Sequence, residues 1–349
     1  MRIAQISPLT EAVPPKLYGG TERIVSYIAD ELAAIGHDVT LFASGDSVTK
    51  AKLVAAWPRA LRLDETMRDH LAPHLIMLQA VAERAAEFDV IHSHMDYLGY
   101  PILRETGIPF VTTLHGRMHL PELRPVYEMF DDVALVSISD AQREPLPDAN
   151  YVATIHHGIP ERLLTPGSGA GGYLAFIGRI SPEKAPDAAV RIAALAGMKL
   201  KIAAKVDAAD REYFSTRIEP LLNGSNVEYL GEISDAEKST FLGEAAGLIF
   251  PIAWHEPFGL AMIEAMACGT PVIAFRRGSV PEVVDHGVTG FIVDDEAQAA
   301  AVARRLPELD RARVRRIFEA RFTARRMTED YLNVYRRLIA RGRRLRKAV

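Results

Sequence analysis

The sequence predicts an α/β protein built from two Rossmann-like, doubly wound domains. Its 349 residues exceed what one ordinary hydrophobic core organises. Short β-rich runs alternate with amphipathic helical segments in both halves, a pattern that is typical of parallel sheets. A glycine-rich segment without apolar periodicity, residues 165–172, separates the two halves. We therefore expect a first domain over residues 1–164, a linker over 165–172 and a second domain over 173–323.

The first half contains one well-marked helix and six predicted strands. In Thr21–Ile35, the apolar residues Ile24, Ile28 and Leu32 recur on one helical face, and Gly36 ends the helix. The predicted strands are Arg2–Ser7, Val39–Ser44, Val90–His94, Phe110–His115, Val133–Ile138 and Val152–His156.

The second half repeats this alternation and closes on a basic segment, residues 324–349, which we predict to be a helix. Apolar residues recur in it at three- and four-residue steps, which predicts one packed stripe. These residues are Met327, Tyr331, Val334, Tyr335 and Leu338. The strands predicted before it are Leu174–Gly178, Leu200–Ala204, Val227–Leu230, Leu248–Pro251, Pro271–Ala274 and Phe291–Val293.

Charge is distributed unevenly along the chain. Residues 301–349 hold 16 Lys and Arg against 5 Asp and Glu, which leaves −15 for the first 300 residues of a chain whose net charge is −4. The basic helix either docks on the acidic remainder of the protein or contacts an anionic lipid surface. We expect no nucleic-acid partner.

Composition indicates a soluble cytoplasmic protein, with peripheral contact at the inner membrane face as an option. No apolar run reaches the roughly 18–20 residues of a spanning helix. The N-terminus enters a strand pattern directly and shows no secretory signal. The only cysteine, Cys268, excludes an internal disulfide and suits a reducing compartment; we interpret it as a small core residue.

The segment 255–271 is the strongest functional signal. We predict a helix that opens around Pro257–Phe258 and ends at Gly269. The free amides of Phe258, Gly259 and Leu260 would then point outward at the positive end of the helix dipole. This arrangement predicts an anion site that suits a diphosphate.

Two carboxylates flank that helix start. Glu256 and Glu264 are eight residues apart, which in a helix is about 12 Å, close to the reach of a nucleotide sugar. The alternative for Glu256 is a first-turn acid that complements the helix dipole. Glu264 lies among apolar residues, where an unpaired carboxylate is costly to bury, so it needs a polar partner that ribose hydroxyls would provide.

Two cations follow the first predicted strand of the second half. Arg179 and Lys184 fall beyond the carboxyl end of that strand, where open α/β sheets bind ligands. They could clamp a diphosphate and stabilise the charge that it gains on leaving. Taken alone, such a pair in a loop is usually solvated surface; its occurrence together with the segment 255–271 favours the functional interpretation.

Glycine and histidine mark the corresponding places in the first half. The segment Tyr18-Gly19-Gly20 follows the first strand, and its glycines allow close approach to a ligand, although a plain turn capped by Thr21 explains them too. His94 and His115 end two later strands, where they can hydrogen-bond a sugar hydroxyl or cap strand-end carbonyls. We interpret His92 as structural.

Together these residues resemble the family-4 glycosyltransferases, retaining enzymes of the GT-B fold in which two Rossmann-like domains face each other across a cleft. The resemblance covers nearly the whole chain, from Gly19-Gly20 to Gly287–Phe291. It implies a nucleotide-sugar donor, with UDP-sugar preferred over GDP-sugar, and a sugar, glycan or lipid acceptor. It also implies that the terminal helix crosses back to the first domain. No cofactor is expected.

The resemblance also assigns roles to individual residues. Glu256 would contact the transferred sugar and Glu264 the ribose, while Arg179 and Lys184 would bind the diphosphate. The family pattern therefore places all four around one bound donor.

Further contacts are implied on both sides of the donor. The Phe258–Leu260 amides would hold sugar or phosphate, Gly19-Gly20 would close on the phosphates, and His115 would lie by the donor sugar. The base would lie near Ile233. Lys205 stands in a loop that is often glycine-rich in the family, where it would add a donor contact.

The resemblance implies a front-face displacement without a metal, in which the leaving phosphate takes the acceptor proton. No Asp-x-Asp occupies a donor position, and we interpret Asp294-Asp295 as a turn. A covalent double displacement, an epimerase or phosphorylase on the same fold, and a non-catalytic sugar-binding protein are the alternatives.

Overall fold

The computed structural model describes residues 1–16, 19–62, 64–223 and 226–347. Tyr18 of the glycine motif lies outside the described residues. The chain forms two compact units, one of residues 1–158 together with the chain from Ala324 onward, the other of residues 159–323. Each unit contains its own parallel sheet, which confirms the two Rossmann-like domains.

The glycine-rich segment 165–172 lies inside the second unit, and the chain changes units at Gly158–Ile159. Amides of this segment bond carbonyls at helix ends: Gly167 to Cys268 at 3.1 Å, and Gly169 to Gly243 at 2.9 Å. The prediction of a linker here needs correction, because these glycines allow close backbone contacts within the unit.

The first unit contains a seven-stranded parallel sheet in the order β3-β2-β1-β4-β5-β6-β7. One of these strands, β3, was not predicted from the sequence. It lies at the sheet edge and is partly exposed along its length, so it lacks the apolar run of a buried strand. The strands are Arg2–Ile6 (β1), Asp38–Ser44 (β2), Lys52–Trp57 (β3), Val90–Ser93 (β4), Phe110–Thr113 (β5), Ala134–Ser137 (β6) and Tyr151–Thr154 (β7).

The second unit contains a six-stranded parallel sheet in the order β10-β9-β8-β11-β12-β13. All six predicted strands are present, with ends shifted by a residue at most. They are Tyr173–Arg179 (β8), Lys199–Lys205 (β9), Val227–Gly231 (β10), Gly247–Phe250 (β11), Val272–Phe275 (β12) and Gly290–Val293 (β13).

Helices connect these parallel strands. In the first unit they are Gly20–Ala34 (α1), Leu71–Glu83 (α2), Tyr100–Glu105 (α3) and Leu123–Met129 (α4). In the second unit they are Pro186–Ala196 (α5), Arg211–Tyr213 (α6), Asp235–Gly243 (α7), Leu260–Ala267 (α8), Val280–Val283 (α9), Glu296–Ala303 (α10) and Arg311–Arg321 (α11). The terminal helix of the first unit is Ala324–Lys347 (α12). Helix α6 continues into a π-helical turn, Phe214–Ile218. The described 3-10 turns are Ala85–Glu87, Ala141–Arg143, Ala208–Asp210, Glu219–Asn223 and Leu306–Glu308.

Strand order reverses once in each sheet, between β1 and β4 and between β8 and β11. Crossovers leave in opposite directions at such a point, so a crevice opens beyond the carboxyl ends of the two strands. Of the functional residues predicted from the sequence, Arg179, Lys184 and Glu256 lie at or beyond the ends of β8 and β11. Gly19, Gly20 and His94 lie beyond the ends of β1 and β4.

The terminal helix α12 packs on the first unit through its predicted apolar stripe. Met327, Tyr331 and Tyr335 are all fully buried, and Val334 is 1% exposed. The Tyr335 hydroxyl accepts from the Gln5 amide at 3.1 Å, so helix and central strand are joined by a buried polar contact as well. Within the described ranges, no helix is both long and apolar enough to cross a membrane.

Candidate functional site

The segment after β11 presents a buried carboxylate to a cation from the segment after β8. Glu256 is 7% exposed. Its Oε2 atom forms an ion pair with Lys184 Nζ and accepts a hydrogen bond from the Trp254 indole N–H at 2.7 Å. Because burial of an isolated carboxylate is costly, both partners stabilise its charged form. The switch point of the second sheet therefore contains a paired cation and anion.

A turn that follows β12 holds the loop of Glu256 in place. Gly278 has φ +54°, and a Cβ there would lie 2.2 Å from the carbonyl oxygen of Glu256, so only glycine fits. The next residue, Ser279, donates its amide to the same carbonyl at 3.0 Å and its hydroxyl to the carbonyl of Phe258 at 2.7 Å. The loop is thus fixed through its backbone.

The helix after this loop begins later than the sequence predicts. Helix α8 starts at Leu260, after Gly259 with φ +83°, whose Cβ would lie 2.8 Å from Phe250 Cζ. Phe258 is buried ahead of the helix. Glu256 therefore lies in a loop and is not a first-turn acid, and the 12 Å spacing estimated from helical rise does not apply to it.

Arg179 and Lys205 lie side by side at the ends of two paired strands, β8 and β9. A shared acid joins them: Asp207 is 2.9 Å from Lys205 Nζ and 3.7 Å from Arg179 Nη1. Arg179 also lies 3.5 Å from Asp210 and 3.4 Å from Glu183. Two cations therefore share one face of the site in orientations set by these acids.

The second buried carboxylate has a partner within the protein. Glu264 Oε1 lies 2.8 Å from Lys238 Nζ, on the neighbouring helix α7. Lys238 also lies 3.2 Å from Asp235. The expectation that ribose hydroxyls supply the polar partner of Glu264 is incomplete, because a lysine already compensates its charge.

Among the residues that the structure describes, two other than glycine have left-handed backbone, and each lies within two positions of a predicted site residue. Ala185, with φ +50°, follows Lys184, and Asp96, with φ +46°, lies two residues after His94. Such conformations are unfavourable for residues with a Cβ and concentrate at functional sites. Burial also raises the pKa of Asp96 to about 6.

The first unit brings the predicted histidines together. His94 Nδ1 lies 2.9 Å from His115 Nε2, and His94 Nε2 lies 3.0 Å from the Gln5 side-chain oxygen. Burial lowers the pKa of His94 well below its usual value and that of His115 to about 3. Both rings are therefore neutral at pH 7, and one of the two facing nitrogens carries the shared hydrogen.

His92 is fully buried, and its ring hydrogen-bonds protein hydroxyls on both sides. Its Nδ1 lies 2.7 Å from the Tyr335 hydroxyl and its Nε2 lies 2.7 Å from Thr113 Oγ1. Both ring nitrogens of His92 thus have partners inside the protein, one of them on α12, which supports a structural role for this residue.

The glycine pair lies at the start of α1. Gly19 precedes the helix and Gly20 is its first residue, so Thr21 lies inside the helix and does not cap it. Glu22, which follows, is buried and accepts the amide of Glu11 at 3.3 Å. The loop after β1 is thereby tied to the first turn of α1.

Comparison with known proteins agrees with this geometry. Residues 169–317 match the family "Glycosyl transferases group 1" and residues 18–159 match "Glycosyltransferase Family 4". A D-inositol 3-phosphate glycosyltransferase from Mycobacterium avium (strain 104) is 30% identical over 298 residues, covering 72% of this chain and 70% of the relative. The chain belongs to the family-4 glycosyltransferases. It is therefore a transferase enzyme, as the sequence predicts.

Solved structures show that this glycosyltransferase has the GT-B fold. Sucrose-phosphate synthase from Thermosynechococcus elongatus is similar over 97% of this chain and 99% of its own, with 20% identity and a TM-score of 0.79. Anabaena HepE, in complex with UDP and glucose, is similar over 96% of this chain and 99% of its own, with 19% identity and a TM-score of 0.72.

Several residues around the glycosyltransferase site were not predicted. Lys238 contacts Glu264, Trp254 contacts Glu256, and Gly278 with Ser279 holds the loop of Glu256. The apolar sequence around Glu264 indicated that this carboxylate needs a polar partner, and Lys238 is that partner. Ile233, predicted near the base, is half-buried in the segment between β10 and α7.

Two remaining sequence interpretations concern residues away from these contacts. Asp295 caps α10 by accepting the amide of Gln298 at 2.8 Å, in the place where a turn was expected. Cys268 is fully buried, and burial raises the pKa of its thiol to about 12, so it has the character of a core residue. Among the described side chains, no group of three or more His, Cys, Asp or Glu is arranged to hold a metal ion.

Proposed function

We propose that this glycosyltransferase moves a sugar, with retention of anomeric configuration, from a nucleotide-diphosphate sugar to a hydroxyl acceptor. The observation that carries the proposal is the convergence of Lys184 and buried Glu256 at the switch point of the second sheet. Arg179 and Lys205, which share the acid Asp207, place further cationic donors at the ends of the adjoining strands. An anionic leaving group and a polar sugar are the ligands that such a site suits.

In this proposal the cations act on the leaving group. The bond between the anomeric carbon and the diphosphate oxygen breaks as the acceptor oxygen bonds to the same carbon, and the acceptor proton passes to the leaving phosphate. Lys184 and Arg179 stabilise the charge that grows on the diphosphate. Since these contacts strengthen as the bond breaks, they favour the transition state over the bound donor.

The surroundings of Glu256 support a front-face displacement over a covalent intermediate. A double displacement needs a carboxylate free to attack the anomeric carbon. Oε2 of Glu256 already has Lys184 and the Trp254 N–H as partners, which lowers its nucleophilicity. A role in orienting the transferred sugar fits the carboxylate better.

A UDP-sugar is the proposed donor and a sugar, glycan or lipid hydroxyl the proposed acceptor. HepE, which shares the fold, is described in complex with UDP and glucose. The relatives in several mycobacteria are D-inositol 3-phosphate glycosyltransferases, which act on a polyol phosphate by name. Phosphorylated polyols therefore belong in the first set of acceptors to be assayed.

The donor assignment is tested by thermal shift with UDP-, GDP- and ADP-sugars, followed by transfer to candidate acceptors. We expect a UDP-sugar to raise the melting temperature most, and the anomeric proton of the product to show the donor configuration by NMR. Inverted product would contradict retention. Binding without transfer or donor hydrolysis would indicate a sugar-binding protein.

Replacing each of the two glutamates by glutamine is expected to change different kinetic constants, the donor KM for Glu264 and kcat for Glu256. Glu264→Gln should weaken binding of the free nucleoside diphosphate and raise the donor KM, since it loses charge-assisted bonds to ribose. Glu256→Gln should mainly lower kcat, because it lies by the reacting sugar. Calorimetry with the nucleoside diphosphate separates them, and unchanged affinity in Glu264→Gln would contradict its ribose role.

Transfer is proposed to proceed without a divalent metal. Arg179, Lys184 and Lys205 provide the positive charge that a metal would otherwise supply to the diphosphate. Rates measured in excess EDTA should match untreated enzyme. Complete loss of transfer that magnesium or manganese specifically restores would show that this proposal is wrong.

The remaining assignments stay predictions. Gly19 and Gly20 are proposed to approach the donor phosphates, His115 to contact the donor sugar, and His94 to contact sugar or acceptor. Peripheral contact with an anionic membrane through the basic helix is likewise a proposal.

A further inference from the structure

Lys238 forms an ion pair with Glu264, the carboxylate proposed to bind the ribose. Its Nζ lies 2.8 Å from Glu264 Oε1, with side chains only 13% and 8% exposed. A second acid, Asp235, lies 3.2 Å away on the same helix. Two acids thus fix the ammonium group, which in turn holds one oxygen of Glu264.

A buried carboxylate needs such a partner to remain charged and to stay in one orientation. Without it, desolvation favours the protonated form, which donates a hydrogen bond and accepts more weakly. With Oε1 bound to Lys238, the carboxylate is oriented and its remaining lone pairs can accept from hydroxyl groups. The ion pair therefore prepares Glu264 as an acceptor.

We propose that Lys238 is a positioning residue that sets Glu264 for the ribose hydroxyls, and so gives the enzyme its preference for ribonucleotides over 2′-deoxyribonucleotides. This inference rests on the ribose role of Glu264 proposed above. Lys238 acts through the carboxylate and is not itself a catalytic residue.

The position of Lys238 adds a second reason. It lies on α7 directly after the segment that contains Ile233, near which the base is proposed to lie. The start of α7 is fixed by a capping box in which the amide and hydroxyl of Ser234 donate to Glu237 at 2.8 and 2.6 Å. A rigid helix start thus joins the base-side segment to the lysine that orients the ribose-side carboxylate.

The experiment compares binding of a nucleoside diphosphate with binding of its 2′-deoxy analogue. UDP, GDP and ADP are screened on wild type, and the tightest is used. We expect wild type to prefer the ribose form by roughly 10- to 100-fold, the range for a hydrogen bond to a charged group. Lys238→Met should lose most of this preference, while kcat at saturating donor changes by less than about threefold.

Matched variants separate positioning from general damage. Lys238→Arg should restore the preference, because a cation again faces Glu264. Lys201→Met is the control for loss of a lysine from the same unit, since Lys201 on β9 pairs at 3.2 Å with Glu228 of the edge strand β10. It should leave the preference unchanged.

The outcomes distinguish this inference from the function on which it rests. If Glu264→Gln loses the ribose preference and Lys238→Met keeps it, the positioning role is wrong and the ribose role stands. If Glu264→Gln keeps the preference, the ribose role itself fails. Should Lys238→Met melt early, the double variant Lys238→Met/Glu264→Gln removes the uncompensated charge, and any ribose preference below that of Glu264→Gln alone would contradict action through Glu264.

Discussion

Lys184→Ala is expected to lower kcat by about 10²- to 10³-fold while the donor KM changes little. This is the usual effect of removing one preorganised contact to developing charge. Lys184 contacts buried Glu256 directly, so its loss also leaves that carboxylate with the Trp254 N–H as its remaining described partner. Steady-state kinetics with the donor that the thermal-shift screen selects measure both constants.

Two further variants make the result interpretable. Arg179→Ala should show the same division between kcat and KM, because it is proposed to act on the same diphosphate. Lys201→Ala removes a partly exposed cation from β9, the strand beside β8, and should keep wild-type turnover. Wild-type turnover in both Lys184→Ala and Arg179→Ala would end the assignment of a cationic clamp.

Deletion from Met327 onward is expected to prevent the first unit from folding. The deletion removes a set of fully or almost fully buried side chains, each of which contributes about 1.5–3 kcal/mol by burial. Their sum, of the order of 10 kcal/mol, matches the whole stability of an ordinary domain. Solubility and circular-dichroism melts measure the effect. The residues lost are Met327, Tyr331, Leu332, Val334 and Tyr335.

A shorter deletion, from Gly342 onward, is the control for this prediction. It keeps every residue of the packed stripe, so we expect normal folding and normal transfer to soluble acceptors. Binding to anionic liposomes is measured in parallel. If the short deletion abolishes both liposome binding and transfer to a lipid acceptor, the tail serves chiefly as a membrane contact and our structural interpretation of it is wrong.

The sequence predicts the sheets well because strand and helix periodicities are local properties. Parallel strands place their carboxyl ends at one edge, so Arg179 and Glu256 could be assigned to a common site although they lie in different segments. The strand β3 was missed because an edge strand lacks a continuous apolar run. The start of α8 was misplaced because Gly259 adopts a left-handed backbone that delays the helix to Leu260, and its local sequence does not reveal this.

Partners that are distant in sequence explain the rest. Nothing in the run of residues around Lys238 reveals that it faces Glu264, and the reason for Gly278 is a backbone contact with Glu256. Charge compensation and close approach depend on the folded arrangement of segments. The sequence can show that a buried carboxylate requires a polar partner, but it does not show which residue that partner is.

The return of the last helix to the first unit has a consequence for folding during synthesis. The second unit is one continuous stretch of chain, so it can form as soon as it leaves the ribosome. The first unit is built from two separate stretches of chain, residues 1–158 and the segment from Ala324 onward, so the surface that Tyr331 and Tyr335 cover stays open until that later segment is made. Domains usually fold in order from the N-terminus. Here we expect the reverse order, and a chain released early would lack a completed first unit.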